Sequence, residues 1–124
     1  MEAACHRYIH VPFCDGKCAY CGFYTVPLAS AGEWVDGWLD GMAREMDAAL
    51  PSGASPFSVY VGGGTPTVLE PSHLQRLCRL IGERSGGGAP REWTVEANPG
   101  TLSREKLDIL TAAVGALGGI SLLV

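Results

Sequence analysis

Three of the chain's five cysteines fall within eight positions, at Cys14, Cys18 and Cys21 of FCDGKCAYCGF. Gly16 lets the loop turn tightly, so thiolates with three and two residues between them can converge on one centre. Iron–sulfur clusters are held by thiolates and mostly take four. Zinc takes four ligands as well, and His10 could complete a Cys3His site. A disulfide pair with one spare thiol is the plainest alternative. On the cysteines alone these three readings stay open.

YVGGGTPT, Tyr60–Thr67, places three glycines directly after a strand-like run. With no side chains in the way, a ligand can lie against the backbone there, within reach of amide N–H and carbonyl groups. No Lys-Ser or Lys-Thr pair follows, so this is not a P-loop. A tight strand-to-helix turn would need the same glycines. Glu96 in TVEANPG ends an otherwise apolar strand, just before the chain turns at Pro99 and Gly100. A lone glutamate at a strand end is commonly a solvated residue. His10, between apolar neighbours, reads as a hydrogen-bonded structural histidine ahead of a metal ligand. His6, His73, Cys5 and Cys78 read as surface or core packing, and Trp34 and Trp38 as core or edge anchors.

The elements that must hold these residues alternate in type. Arg7–Val11 is β-branched and aromatic and stops at Pro12. Ser30 and Glu33 in SAGE have a capping-box spacing. Val35, Leu39, Met42, Met46 and Leu50 then recur at intervals of three and four, an amphipathic helix ending at Pro51. Ser58–Gly62 predicts a short buried strand. Pro71 suits a first helical turn, and Leu74, Leu77, Cys78 and Ile81 follow at helical spacing. Ser85–Pro90 reads as a flexible linker. Glu92–Ala97 predicts a third strand, Ser103 a cap for a helix over Leu107, Leu110 and Ala113, and GISLLV a fourth strand.

Such alternation implies parallel strands with helices packed outside. A closed eight-unit barrel of this kind needs ~250 residues. Three and a half units make either a small open sheet or the N-terminal part of something larger, and an apolar last strand with no capping element favours the second. The cysteine loop, the glycine run and Glu96 all follow the C-terminal ends of successive strands. That rim is where α/β proteins bind ligands, and independent accidents would not share it.

Glycine supplies 17 of 124 residues, about twice the usual share of roughly 7%. Formal charge is −4 and the nine basic residues form no block, so no nucleic-acid partner is expected; phosphates need clustered Lys and Arg. MEAACHRYIH has neither a basic n-region nor an apolar h-region, so no secretory signal is read. No apolar run approaches the ~20 residues of a membrane span. A cytoplasmic setting is the resulting expectation, in which thiols stay reduced and clustered cysteines bind metal.

Together, YIHVPFCDGKCAYCGFYT, YVGGGTPTVL and TVEANPGTLSREKLDIL resemble the radical S-adenosylmethionine (SAM) superfamily. Within it they are similar to the oxygen-independent coproporphyrinogen oxidase group and its heme-chaperone relatives, from about Tyr8 to Ala113. The C-x3-C-x2-C spacing carries the superfamily, and YIHVPFC and GGGTPT carry the subgroup. The resemblance implies an α/β fold, the N-terminal part of a partial (β/α) barrel with about three and a half βα units on a parallel sheet. Residues 1–124 would be a truncated radical SAM core domain. It further implies that Cys14, Cys18 and Cys21 bind three irons of a 4Fe–4S cluster. The fourth iron takes the amino and carboxylate groups of S-adenosylmethionine, and the reduced cluster cleaves the sulfonium to a 5′-deoxyadenosyl radical. Tyr8 and Tyr20 match aromatic positions against that cofactor. Gly63, Gly64 and Thr65 match the contact with its methionine part, and Glu96 matches a carboxylate that touches it.

Two departures shape the expectation. VGALGGISLLV has drifted from the group's pattern, which runs on into a Gln–Ser–Phe-like segment with another cofactor contact. The chain is therefore read as a fragment that cannot complete turnover alone. Phe23 stands where coproporphyrinogen dehydrogenases tend to carry a further cysteine, which points toward the heme chaperones. Two functions of different class result. One is heme binding and delivery, with an electron donor and a heme-acceptor protein as partners. The other is oxidative decarboxylation of coproporphyrinogen.

Overall fold

The computed structural model describes residues 6–14, 26–28, 32–49, 58–84, 92–114 and 119–122. In chain order, β1 (His6–Val11) leads into β2 (Phe13–Cys14), and β3 (Val26–Pro27) precedes a 3-10 turn and helix α1 (Val35–Ala49). β4 (Ser58–Gly63) follows, then a second 3-10 turn (Pro66–Val68) and α2 (Pro71–Glu83). β5 (Glu92–Ala97), α3 (Arg104–Val114) and β6 (Gly119–Leu122) complete the order. β1, β4, β5 and β6 lie side by side in that order, every pair parallel. The three helices are the crossovers between them. This is the unclosed partial barrel of about three and a half βα units that the resemblance implies, built on the parallel sheet that the alternating pattern implies.

Local chemistry fixes the helix starts. Pro71 occupies the first turn of α2, where its missing N–H costs no helical bond. Ser103 caps α3, its Oγ accepting the Lys106 N–H at 3.2 Å. The capping-box serine expected ahead of α1, Ser30, lies outside the described residues, as do Leu50 and the linker at 85–90. Arg84 ends α2 and ties two layers together. Its Nε donates to Asp47 on α1 at 2.9 Å, and its carbonyl accepts from Arg7 of β1 at 3.1 Å.

Strand residues alternate between two faces, and here the faces differ in kind. Ile9, Val11, Val59, Val61, Trp93, Val95 and Ala97 are buried toward the helices. Val35, Leu39 and Met46 of α1, Leu74, Leu77 and Ile81 of α2, and Leu110 of α3 close over them as one core. The other face presents Tyr8, His10, Tyr60, Thr94 and Glu96. Parallel sheets covered on both faces read as continuous apolar runs; among the described residues, the helices cover this sheet on one. Tyr60, expected in a buried strand, is 39% exposed for this reason. Trp34 is likewise on the surface at 61% exposure, whereas Trp38 packs edge-on against Phe13, with ring centroids 5.6 Å apart.

A second, two-stranded parallel sheet pairs Phe13 with Val26 and Cys14 with Pro27. It brackets the stretch that carries Cys18 and Cys21. The sequence gives no sign of it, because two-residue strands have no periodicity and a proline argues against a strand. Among the described residues, no helix is long and apolar enough to cross a membrane.

Candidate functional site

The glycine run is fastened to the entrance of the cysteine loop. Gly64 N–H donates to the Val11 carbonyl at 2.8 Å, and Thr65 N–H to the Phe13 carbonyl at 2.7 Å. The approach is close enough that a Cβ on Gly64 would sit 2.1 Å from the Phe13 oxygen. Gly63 has φ of 103°, a conformation that L side chains rarely adopt, and His10 packs on it: a Cβ there would lie 2.5 Å from Nδ1. These glycines are needed for the chain's own packing, whatever binds beside them. Their amide N–H groups are engaged as well, since Gly63 N–H donates to Glu96 Oε1 at 3.2 Å. With the N–H groups of Gly63, Gly64 and Thr65 engaged, carbonyl oxygens are what this loop could offer a ligand's donor groups.

Glu96 stands near the end of β5, two strands from β1. Its second oxygen, Oε2, accepts from the Tyr60 hydroxyl at 2.9 Å. Tyr60 in turn stacks on Tyr8, ring centroids 6.0 Å apart and planes at 20°. Tyr8 is 56% exposed, so an aromatic surface faces the open side of the sheet beside a carboxylate. The Tyr60 phenol is held above its usual pKa, first by the hydrogen bond to Glu96, then by burial and by the charges of Glu96 and Tyr8. Tyr8 is raised chiefly by burial and also by the Glu96 charge. Tyr60 is a site residue that the sequence reading did not single out. Its only signal there is the exposed phase of the alternation in SVYVG.

Behind the rim, a hydrogen-bonded ring locks the loop that follows β4 to the turn that follows β5. Thr101 Oγ1–H donates to the Asn98 carbonyl at 3.0 Å, and Asn98 N–H donates to Thr67 Oγ1 at 3.2 Å. With the Thr101 proton committed, Thr67 is the donor in the 2.7 Å contact between the two hydroxyls. Lys106 Nζ clamps the same two segments, donating to the carbonyls of Thr67 at 2.7 Å and Thr101 at 3.0 Å. Burial lowers the Lys106 pKa, with the Glu70 charge opposing.

Cys14 is a partly buried free thiol at the end of β2. Cys18, Cys21, Tyr20 and Phe23 lie outside the described residues. Among the described residues, no three His, Cys, Asp or Glu side chains gather to hold a metal ion. Cys78 is core packing, as expected: burial pushes its thiol up to about 12, far from reactivity at neutral pH. His73 lies on the helix surface, 3.2 Å from Asp36. The described part of the rim links Phe13, beside Cys14, to the glycine loop, the glycine loop to Glu96, and Glu96 through Tyr60 to Tyr8.

Comparison with known proteins points the same way. The family model described as the radical SAM superfamily matches residues 8–121. The heme chaperone HemW of Lactococcus lactis subsp. lactis (strain IL1403) is 37% identical over 115 residues, covering 93% of this chain and 29% of that protein. HemW of Bacillus subtilis (strain 168) is 38% identical over 109 residues, covering 86% and 28%. The solved structure of coproporphyrinogen III oxidase (HemN) from Escherichia coli, described as a radical SAM enzyme, superposes with a TM-score of 0.82 at 29% identity. That match covers 99% of this chain and 28% of the other. The chain thus spans under a third of the length of the relatives it matches. Matched along nearly its whole length in both sequence and fold, the chain belongs to the radical SAM superfamily and, within it, to the HemW/HemN-like group.

Proposed function

We propose that Cys14, Cys18 and Cys21 bind a 4Fe–4S cluster and that S-adenosylmethionine binds beside it on the open face of the sheet. The observation that carries this reading is the fastening of the glycine loop to the backbone at Val11 and Phe13, which joins the cofactor-binding loop to the cysteine loop as one unit. When bound, the cluster would supply an electron, and S-adenosylmethionine a carbon–sulfur bond for reductive cleavage. The chain's own groups do the holding. Carbonyl oxygens of the loop at Gly63, Gly64 and Thr65 would accept from the N–H groups of the cofactor's amine, Glu96 would accept from its donor groups, and Tyr8 and Tyr20 would lie against it. The test is anaerobic reconstitution of the chain with iron and sulfide. A brown, oxygen-sensitive protein is expected, whose paramagnetic resonance changes when S-adenosylmethionine is added. Cys14→Ala abolishes the colour and Cys78→Ala spares it. Stoichiometric zinc with no iron uptake overturns the reading.

The complete protein acts on a tetrapyrrole, and the observations favour two different acts. The superposition on HemN supports oxidative decarboxylation of coproporphyrinogen propionates. So does a sequence relative from Escherichia coli, 32% identical, that is named as that oxidase. The relatives named as heme chaperones, together with Phe23 where a further cysteine would stand, support heme binding and delivery instead. An anaerobic assay with reductant, S-adenosylmethionine and coproporphyrinogen, read by chromatography of the porphyrins, separates them. Protoporphyrinogen formation assigns the oxidase. Stoichiometric heme binding without that product assigns delivery.

A further inference from the structure

We infer that Tyr60 is the positioning residue of the site: its hydroxyl latches Glu96 so that the carboxylate meets the cofactor in one orientation. The inference rests on the proposed binding of S-adenosylmethionine at Glu96. Its geometry is independent of that binding. Tyr60 pairs in register with Thr94, so Glu96 is its diagonal neighbour on β5. Diagonal partners on a sheet are reached only by long side chains. The space between the two is kept open by Gly62, where a Cβ would lie 2.3 Å from Glu96 Oε1 and 2.9 Å from the Tyr60 ring. Tyrosine hydroxyl, vacant glycine position and carboxylate therefore form one packed unit across two strands.

Folding stability does not account for this arrangement. The Tyr60 side chain is on the open face, and an exposed hydrogen bond exchanged with water contributes little. What the latch does supply is order. With Gly63 N–H on one oxygen and Tyr60 O–H on the other, both carboxylate oxygens are fixed before any ligand arrives. Fixing them in advance removes an ordering cost from binding. The stack on Tyr8 fixes the Tyr60 ring in the same way.

The test uses Tyr60→Phe, which keeps the ring and the stack and deletes only the hydroxyl. In equilibrium dialysis of the reconstituted full chain against S-adenosylmethionine, affinity should fall about fivefold to tenfold, the size of one such hydrogen bond. Iron content and the urea midpoint should stay as in the unmodified chain. Glu96→Gln should also weaken binding, and Tyr60→Phe added to Glu96→Ala should weaken it no further than Glu96→Ala alone, because no acceptor remains for the hydroxyl to orient. A merely structural Tyr60 gives additive losses and a lowered midpoint instead. The latch is read without cofactor by NMR of ring-labelled tyrosine, where Glu96→Gln should move the resonance that Tyr60→Phe removes. An unmoved resonance, or unchanged affinity in Tyr60→Phe beside a weakened Glu96→Gln, overturns the inference. Unchanged affinity in Glu96→Gln refutes the proposed cofactor contact itself, and the inference with it.

Discussion

At the scale of single residues, glycines of one sequence run have different physical duties, and substitution separates them. Gly64→Ala drives a Cβ into the Phe13 carbonyl, a backbone atom that cannot step aside. It should cost about 1–3 kcal/mol or more, as overpacking does. Gly37, inside α1, has nothing within 4 Å of its would-be Cβ. Gly37→Ala should stabilise by about 0.5–1 kcal/mol through helix propensity. Urea unfolding of the two variants checks both signs. Tyr60 gives a pH-dependent counterpart. Its folded pKa is raised above the ordinary phenol value of about 10, chiefly by donation to Glu96. An exposed bond contributes too little to move the midpoint at neutral pH. That little is complete below the ordinary value and is lost as pH rises through the raised one, where a phenolate would stand beside Glu96. Tyr8, also raised, adds a loss of the same sign. In unfolding measured across the alkaline range, Tyr60→Phe should decline less steeply than the unmodified chain. The cysteine triplet and Glu96 are singled out by the sequence because residue types and spacings are chemical statements, and of these the structure describes Cys14 and Glu96, each at or near a strand end. The latch is not legible there, since a tyrosine and a glutamate 36 positions apart announce no contact.

At the scale of elements, the three helices and the four strands of the main sheet were legible because period and caps agree. Leu74, Leu77, Cys78 and Ile81 face the core as spaced, and Ser103 caps as read. What periodicity cannot see is how loops are tied, and the site depends on that. The ring of Thr67, Thr101 and Asn98 joins the loop after β4 to the turn after β5, and so sets Gly63 against Glu96. Thr67 is the only polar side chain in the fully buried class among the described residues. Thr67→Val keeps the shape and removes both its hydrogen bonds, leaving the Asn98 N–H without its acceptor. It should cost about 1–3 kcal/mol. Thr101→Val should cost a similar amount, and the double variant less than the sum, because each single change already opens the ring. Urea midpoints of the three variants measure this coupling; strictly additive losses would show that the two hydroxyls act separately.

At the scale of the molecule, the deciding property is that the described helices all cover one face of the parallel sheet and leave the other to Tyr8, Tyr60 and Glu96. The sequence carries this in RYIHV, SVYVG and EWTVEA, where even-numbered positions are polar, aromatic or glycine and odd-numbered ones largely apolar. That alternation belongs to strands with one buried face. An open α/β sheet sandwiched between helix layers would bury both. Two adjacent residues on β5 discriminate between these architectures. Val95 is 2% exposed in the core under the helices, whereas Thr94 sits between Tyr60 and Gly119 on the open face. A lysine at Val95 would place an unpaired charge among aliphatic side chains, which costs several kcal/mol. A lysine at Thr94 can extend its ammonium into water and loses only strand preference, at most about 1 kcal/mol. Val95→Lys should therefore unfold the chain or lower its urea midpoint sharply, while Thr94→Lys leaves the midpoint and the far-ultraviolet circular dichroism close to those of the unmodified chain. Equal losses in the two variants would mean that both faces are covered, and that the rim holding Tyr8, Tyr60 and Glu96 is no open site.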